Sequence, residues 1–413
     1  MKTTECRVCR GNNLDVILDY GKVALADSFL NNREEIMGEK KYPLKLCICD
    51  SCKHLQIDEI VDPSLLFQNY VYETGISPSV IAYTQEYTEK LLEIHHMNET
   101  DSQPRVLEIA SNDGTGLSVF QEKGCKILGI DPAENLVSVA NSRGIRSIAK
   151  FFNLENAQYI VQEFGEWDIA IARNVMAHVS DLHGLSEGVK VILSPTGFAV
   201  IEVPHLQTMF EELQYDQVFH EHIGYHSLDS FLKLFSQYDM EVFDVEKMWI
   251  HGGSIRVYLQ HSSGPRAISD CVATLLEEEE ALGLYDRSSW NEFAERVLLQ
   301  KVALRDEIKR LREEGKKVAV YGASGKGQSL LQFCELHNSS LDYVVDKSEL
   351  KQGKITPGTH IPIYSNAHIY EDIPDVILLC AWNFADEIVK QENRFIALGG
   401  RFLHPLPMPH YIP

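Results

Sequence analysis

The stretch VLEIASNDGTGL, residues 106–117, constrains the fold more than any other. Val106, Leu107 and Ile109 predict a buried strand, with Glu108 near its end. Asn112, Asp113, Gly114 and Gly116 predict a turn, with Glu108 and Ala110 beside them as further expected cofactor contacts, and a helix is expected from Leu117. A strand that enters a glycine-rich turn and leaves as a helix opens a doubly wound α/β sheet. Such a turn brings backbone N–H groups and a helix N-terminus up to a ligand. About twenty residues on, a second strand over 126–130 ends in Asp131, where a carboxylate can accept hydrogen bonds from both hydroxyls of a ribose. A nucleoside site is the expectation.

The turn also bears on which nucleoside it is. A dinucleotide fingerprint requires G-x-G-x-x-G. Here Gly114 and Gly116 follow Asn112 and Asp113, and no third glycine stands in place. The two polar residues would crowd a pyrophosphate, and the aspartate would repel its charge. They suit a ligand with a cationic centre and an amino-acid tail, which favours S-adenosylmethionine (SAM) over NAD. A turn without ligand is the third reading. Asn174 and His178 follow a strand predicted over 168–172, so they belong to the crevice beyond its carboxyl end and are expected cofactor contacts.

Two C-x-x-C pairs, Cys6 with Cys9 and Cys49 with Cys52, lie about forty residues apart. They can supply four thiolates to a tetrahedral Zn²⁺. Short strands are predicted between them over 14–20 and 42–48, as in a zinc ribbon, with Cys47 left as a spare core thiol. Four protein ligands leave no open position, so the metal is expected to be structural. Unrelated buried cysteines and a redox dithiol are the alternatives. The 413 residues allow two to four domains, and 60 acidic against 38 basic residues give a net charge of −22. That field repels a nucleic-acid backbone. No signal pattern and no bilayer-length apolar run are present, so no membrane role and a cytoplasmic location are expected. The sequence sets no oligomeric state, and a monomer is compatible with it.

Residues 216–231, DQVFHEHIGYHSLDSF, hold His220, Glu221, His222 and His226, with His205 upstream. On a helix His222 and His226 would share a face as a metal pair, but the pattern is not H-E-x-x-H. General base chemistry is favoured, since histidine titrates nearest neutral pH. Structural hydrogen bonding is the bland alternative. Upstream, Tyr70 and Tyr72 share one face of an extended segment. Residues 251–259 predict an antiparallel or edge strand.

Beyond residue 265 the composition shifts to helices over 272–284 and 289–314, with Ser289 and Glu292 as a capping box. Trp290, Phe293, Val297, Leu304, Ile308 and Leu311 form the packing stripe of the second. A strand over 318–321 then meets a turn holding Gly322, Gly325, Lys326 and Gly327, with a helix from Gln328. The glycine-to-lysine spacing is not that of a P-loop, yet the turn can cradle phosphate. A strand ending at Asp346 is followed by Lys347, Lys351 and Lys354, and a strand over 375–380 by Trp382 and Asn383. In an acidic chain these lysines form a seat for a sugar-nucleotide pyrophosphate, with a solvated basic loop as the alternative.

Taken together, the paired cysteines, LEIASNDGTGL, FHEHIGYHS and YGASGKGQSLLQF with VVDKSELKQGKITPGTHIPI resemble the three-domain, SAM-dependent sugar C-methyltransferases that act on nucleotide-linked deoxysugars. The resemblance covers nearly the whole chain. It implies an α/β protein with a zinc-ribbon-like module over 1–70, a class I SAM-methyltransferase domain over 71–264, and a Rossmann-like domain over 265–413. The last helps to hold the nucleotide-sugar, with Lys326, Asp346, Lys351 and Asn383 as its expected contacts. The family's catalytic histidine falls on His222 and its acidic neighbour on Glu221. Phe219 stands where that motif often has tyrosine, so any hydroxyl role there is absent or moved elsewhere, with Tyr72 and Tyr225 as the candidates. The implied substrate is a dTDP-linked 4-keto-hexose. It would be methylated beside its ketone through an enolate, with Glu221 supporting the imidazole. An NAD-dependent sugar-nucleotide oxidoreductase, an O- or N-methyltransferase and an inactive zinc-ribbon scaffold are the competing readings.

Overall fold

Three sheets organise the chain, and a computed structural model describes residues 3–62, 66, 78–96 and 103–412 of it. The first sheet begins with β1 (Leu14–Ala24), β2 (Lys41–Cys49) and β3 (Leu55–Ile57), all antiparallel. Their inward-facing side chains, Leu18, Leu46, Ile48 and Leu55 among them, are buried. The segment with Tyr70 and Tyr72 lies outside the described residues. Among the described residues, no helix is long and apolar enough to cross a membrane.

Helix Pro78–His96 leads into the central sheet. Strands β4 (Arg105–Ile109), β5 (Lys126–Asp131), β6 (Ser147–Ala149), β7 (Trp167–Arg173) and β8 (Leu193–Pro204) pair in parallel. Next, β9 (Gly224–Tyr225) leaves this sheet and pairs with β3, completing the first one. Strands β10 (Met240–Met248) and β11 (Ser254–His261) return antiparallel beside β8. The order is β10-β11-β8-β7-β4-β5-β6. It reverses at β4, which has β5 on one side and β7 on the other. Ligands of doubly wound sheets bind at such a switch point. Val106, Leu107, Ile109, Ile169 and Ile171 are all buried, the apolar run expected of parallel strands covered on both faces.

Helices Asp270–Ala281 and Arg287–Glu313 come before the third sheet. The expected stripe from Trp290 to Leu311 is buried. The expected capping box is not formed. Arg287 opens the helix after Asp286, which places Ser289 inside the first turn, packed beneath Gly283. The third sheet comprises β12 (Val318–Tyr321), β13 (Val344–Val345), β14 (Ile363–Tyr364), β15 (Val376–Leu379), β16 (Arg401–His404) and β17 (His410–Ile412). Its order is β14-β13-β12-β15-β16-β17, parallel except for β17. A second switch point lies between β12 and β15. Residues beyond the carboxyl ends of both switch points line one cavity.

Candidate active site and zinc centre

The two cysteine knuckles fold alike. Arg10 N–H donates to Cys6 O, and Lys53 N–H to Cys49 O, both at 2.9 Å. The residue after each second cysteine, Arg10 or Lys53, is left-handed. The knuckles bring Cys6 Sγ to 3.4 Å from Cys52 Sγ and Cys9 Sγ to 3.6 Å from Cys49 Sγ. All four sulfurs lie within 4.8 Å of one another. Bonds of about 2.3 Å to a tetrahedral zinc separate sulfurs by about 3.8 Å, and a disulfide needs about 2.05 Å. The cluster fits a metal and not a pair of disulfides. Cys47 is buried on β2, outside the group. Among the described residues no other group of three or more potential ligands comes together, and β9 separates His222 from His226, so the shared helix face on which the metal-pair reading rested is not formed.

The shared cavity has a volume of about 1400 Å³. A single ligand usually occupies about 300–1,000 Å³, so there is room for two co-substrates. The central-sheet half is lined by Glu108, Ala110, Asn112, Gly116, Asp131 and Asn174. Asp131 closes the turn after β4: Asn112 N–H donates to one oxygen at 2.9 Å and Ala133 N–H to the other at 2.8 Å. Each oxygen keeps a lone pair that can accept a further hydrogen bond. Burial raises the carboxyl's pKa, and the two N–H donors oppose that. Ala110 and Asn174, just past β4 and β7, are both left-handed, a conformation that collects at functional sites.

Two of the expected cofactor residues do other work. Asp113 is turned to Arg143 at 3.1 Å and caps the Thr115 N–H, and Gly114 is the left-handed residue that starts helix Thr115–Glu122. Neither lines the cavity. Glu108 is paired with Arg173 at 2.7 Å, an arginine the sequence reading missed because the strand was ended one residue early. A Cβ on Gly116 would stand 2.2 Å from that guanidinium, so glycine here admits the buried ion pair under the helix. Glu202, at the end of β8, is held by Arg256 at 3.1 Å and by the Tyr83 hydroxyl, and also lines the cavity.

The histidine-rich stretch is not one helix. It is a loop, then β9, then helix Leu228–Phe235. Only His222 and Glu221 of its ionisable side chains line the cavity between Gln217 and the end of the stretch. His222 Nδ1 lies 3.0 Å from the Gln217 carbonyl. A carbonyl only accepts, so Nδ1 carries the hydrogen and Nε2 keeps the lone pair. The ring sits 4.2 Å from Phe219 and 4.7 Å from His178. Burial, then the neighbouring His178 and Lys326, pushes its pKa well down, so it is neutral at neutral pH. Burial likewise lowers His178 to about 4. Glu221 does not support the imidazole. It meets Asp27 from the first sheet's module, and burial, then Asp27, pushes its pKa well up. A carboxyl so placed holds its proton and donates to its partner.

The remaining histidines are structural. His220 Nε2 lies 3.0 Å from Pro43 O, His226 packs on His54, and His205 pairs with Glu279 at 2.9 Å. Tyr225 is buried and donates to His222 O at 2.8 Å, away from the cavity, so it cannot supply the hydroxyl that Phe219 lacks.

The third-sheet half is lined by Ser324, Lys326, Asp346, Lys351 and Asn383. Asp346 repeats the bonding of Asp131: Ala323 N–H donates to one oxygen at 2.7 Å and Ser348 N–H to the other at 2.8 Å. Lys351 donates to Ala323 O at 2.8 Å, Lys347 pairs with Glu387, and Lys354 does not reach the cavity wall. The expected lysine cluster is therefore smaller than its sequence spacing implied.

Comparison with known proteins agrees with this architecture. A zinc binding domain family matches residues 6–67, a methyltransferase domain family residues 82–245, and a C-methyltransferase C-terminal domain family residues 249–407. These features together define a SAM-dependent methyltransferase carrying a structural zinc centre. The chain is 34% identical over 408 residues to the C-methyltransferase NovU of Streptomyces niveus, covering 99% of this chain and 96% of NovU. It belongs to the C-methyltransferase family. That membership displaces the oxidoreductase, O- or N-methyl and inactive-scaffold readings. Similar solved structures include a SAM-dependent methyltransferase from Clostridium acetobutylicum (TM-score 0.36, 12% identity, 44% of this chain and 92% of that one). Another is the magnesium protoporphyrin IX methyltransferase of Synechocystis with bound SAM (TM-score 0.32, 10% identity, 42% of this chain and 78% of that one).

Proposed function

We propose that this C-methyltransferase methylates a ring carbon beside the ketone of a nucleotide-linked 4-keto-deoxysugar, with a dTDP sugar as the first candidate. The observation that carries the reading is His222. It is a neutral imidazole with its proton fixed on Nδ1 and its lone pair on Nε2, on the wall of a cavity with a nucleoside-type cradle at each end. A ketone acidifies the neighbouring C–H, and a positioned imidazole is the general base such a carbon needs. SAM, when bound, supplies an electrophilic methyl on a positively charged sulfur.

The chain's own residues do the rest. Asp131 holds the SAM ribose through its free lone pairs, with Ala110, Asn112 and Asn174 shaping that half. Asp346, Lys351 and Asn383 hold the sugar's nucleotide at the opposite end, where the N-terminus of helix Gly325–Phe333 adds N–H donors for a diphosphate. His222 takes the proton, and the protonated Glu221 faces the sugar beside it. His178 packs against the base and restricts its ring to one orientation. Lining up both substrates across one cavity supplies the proximity term of the rate.

Incubation with SAM and dTDP-4-keto-6-deoxyglucose in D₂O tests the reaction. Deuterium at the carbon beside the ketone in recovered, unmethylated substrate, and a methyl group in place of that hydrogen in the product, are the expected results. A methylated product retaining all its original ring hydrogens would sink the enolate route. Calorimetry tests the two ends: Asp131→Ala weakens SAM about 10- to 100-fold, the worth of hydrogen bonds to a charged group, and leaves dTDP binding unchanged. Equal loss of both ligands would contradict two separate seats.

A further inference from the structure

We propose that Lys326 is a catalytic residue, whose ammonium holds the substrate's ketone oxygen while His222 removes the neighbouring proton. This rests on the methyl-transfer reading above and changes the role expected for this lysine, which its sequence context gives to phosphate.

Lys326 is the second residue of helix Gly325–Phe333, at the switch point of the third sheet. Its ammonium nevertheless reaches over to the central sheet's side. It donates to the His251 carbonyl at 2.7 Å, in the turn joining β10 to β11, and lies 5.0 Å over the Trp382 ring. Trp382 Nε1 in turn donates to Asp216 at 2.6 Å, at the start of the histidine-rich stretch. The backbone beside Lys326 packs on the ring that flanks the base: a Cβ on Gly325 would stand 3.2 Å from Phe219, whose ring lies 4.2 Å from His222. Lys326 and His222 thus share one corner of the cavity wall.

The charge points the same way. The acids that face Lys326 are Asp216 and Glu212, and its own field falls on His222, His251 and Asp216, all in the loops that follow β8 and β10 and none in the third-sheet domain. Lys351 is the lysine beside Glu221 and the third-sheet turn. Burial lowers the Lys326 pKa to about 8, so it is charged at neutral pH. Among the described residues its ammonium makes one hydrogen bond, which leaves two N–H donors for a ligand. A fixed cation next to a neutral base is what an enolate requires, because charge appears on the oxygen only as the proton leaves.

The step balances. His222 Nε2 takes the proton, the C–H pair becomes a C=C bond, and the carbonyl π pair moves to the oxygen met by Lys326. The carbon then bonds to the methyl group as the methyl–sulfur bond breaks and sulfur keeps that pair. The ketone re-forms, and the imidazolium gives its proton to solvent.

The experiment is deuterium wash-in to dTDP-4-keto-6-deoxyglucose at saturation, with dTDP and SAM affinities measured in parallel on Lys326→Gln and Lys326→Arg. Lys326→Gln is expected to lower saturated wash-in about 10²- to 10³-fold, the effect of deleting one oxyanion donor, with both affinities unchanged. Lys326→Arg is expected to recover part of the rate and to move its alkaline decline from near pH 8 to higher pH. Weakened dTDP binding with unchanged saturated wash-in would make Lys326 a phosphate clamp and overturn the proposal. If Lys326→Gln loses SAM binding through misfolding, Lys326→Arg decides alone, and an unmoved alkaline decline overturns it. A wild-type protein that neither exchanges nor methylates this probe counts against the reaction itself, independently of either variant.

Discussion

Replacing His222 with glutamine is expected to lower methyl transfer and deuterium wash-in by about 10²- to 10⁴-fold, the usual worth of a general base. Glutamine keeps the volume and a polar end, so the contact with Phe219 survives and SAM affinity stays put. The pH profile carries a second signature. An ordinary histidine takes a proton near about pH 6.5 and stops acting as a base below it. Burial holds His222 neutral well below that point. The wild-type rate is therefore expected to stay level as pH falls through 6.5 and to decline only further down, where the depressed pKa is met. An acid limb centred on the ordinary value would mean that the base is solvated and is not His222. Full wash-in by His222→Gln would move the base elsewhere, with His178 the nearest imidazole at 4.7 Å.

Removal of the zinc, by chelation or through Cys49→Ser, is expected to abolish turnover although no cysteine of the cluster lines the cavity. Zinc contributes about 10–16 kcal/mol to the folding of small zinc peptides, so its loss should unfold the module around it. That module braces the loop that carries Glu221 and His222. It supplies Pro43 O to His220 at 3.0 Å, receives a strand pairing from Gly224 and Tyr225, and accepts Glu221 at Asp27. Tyr20 also donates to Tyr215 O at 2.7 Å, just before that loop. SAM binding at the β4–β5 end should persist, because none of those contacts reaches it. Zinc content, thermal transition and turnover measured on the same samples check this. A metal-free protein with full turnover would show that the brace is dispensable.

Sequence reading succeeded where the signal is local. Two C-x-x-C pairs, apolar runs entering glycine turns, and an acid at the end of a second strand each need only a dozen neighbouring residues to be recognised. Both doubly wound sheets and the cysteine cluster were legible on that basis. Direction and partnership were not. Gly116 reads as a ligand-facing glycine, yet it is small because Glu108 and Arg173 pair beneath it, and that pair spans 65 residues of sequence. Asp27 has no motif around it and enters the cavity only because the first module folds against the 217–226 loop. His222 and His226 look equivalent four residues apart, but β9 intervenes and sends them to different surroundings. Lys326 was found by its glycines and given to phosphate, because nothing in its own helix reveals that the His251 carbonyl waits across the cavity.

The pairing of β9 with β3, Tyr225 against Leu55 and Gly224 against Gln56, has a bearing on how the chain can be divided. A cut between the first module and helix Pro78–His96 would leave an N-terminal fragment with β3 as an open edge. The strand that closes it would remain in the other fragment, more than 160 residues away along the chain. Open edges recruit strands, so the two fragments are natural complements that can reassemble through backbone hydrogen bonds. For the same reason, a chimera that takes its cysteine module from a relative must take the 217–226 loop with it, or it transplants a sheet without its last strand.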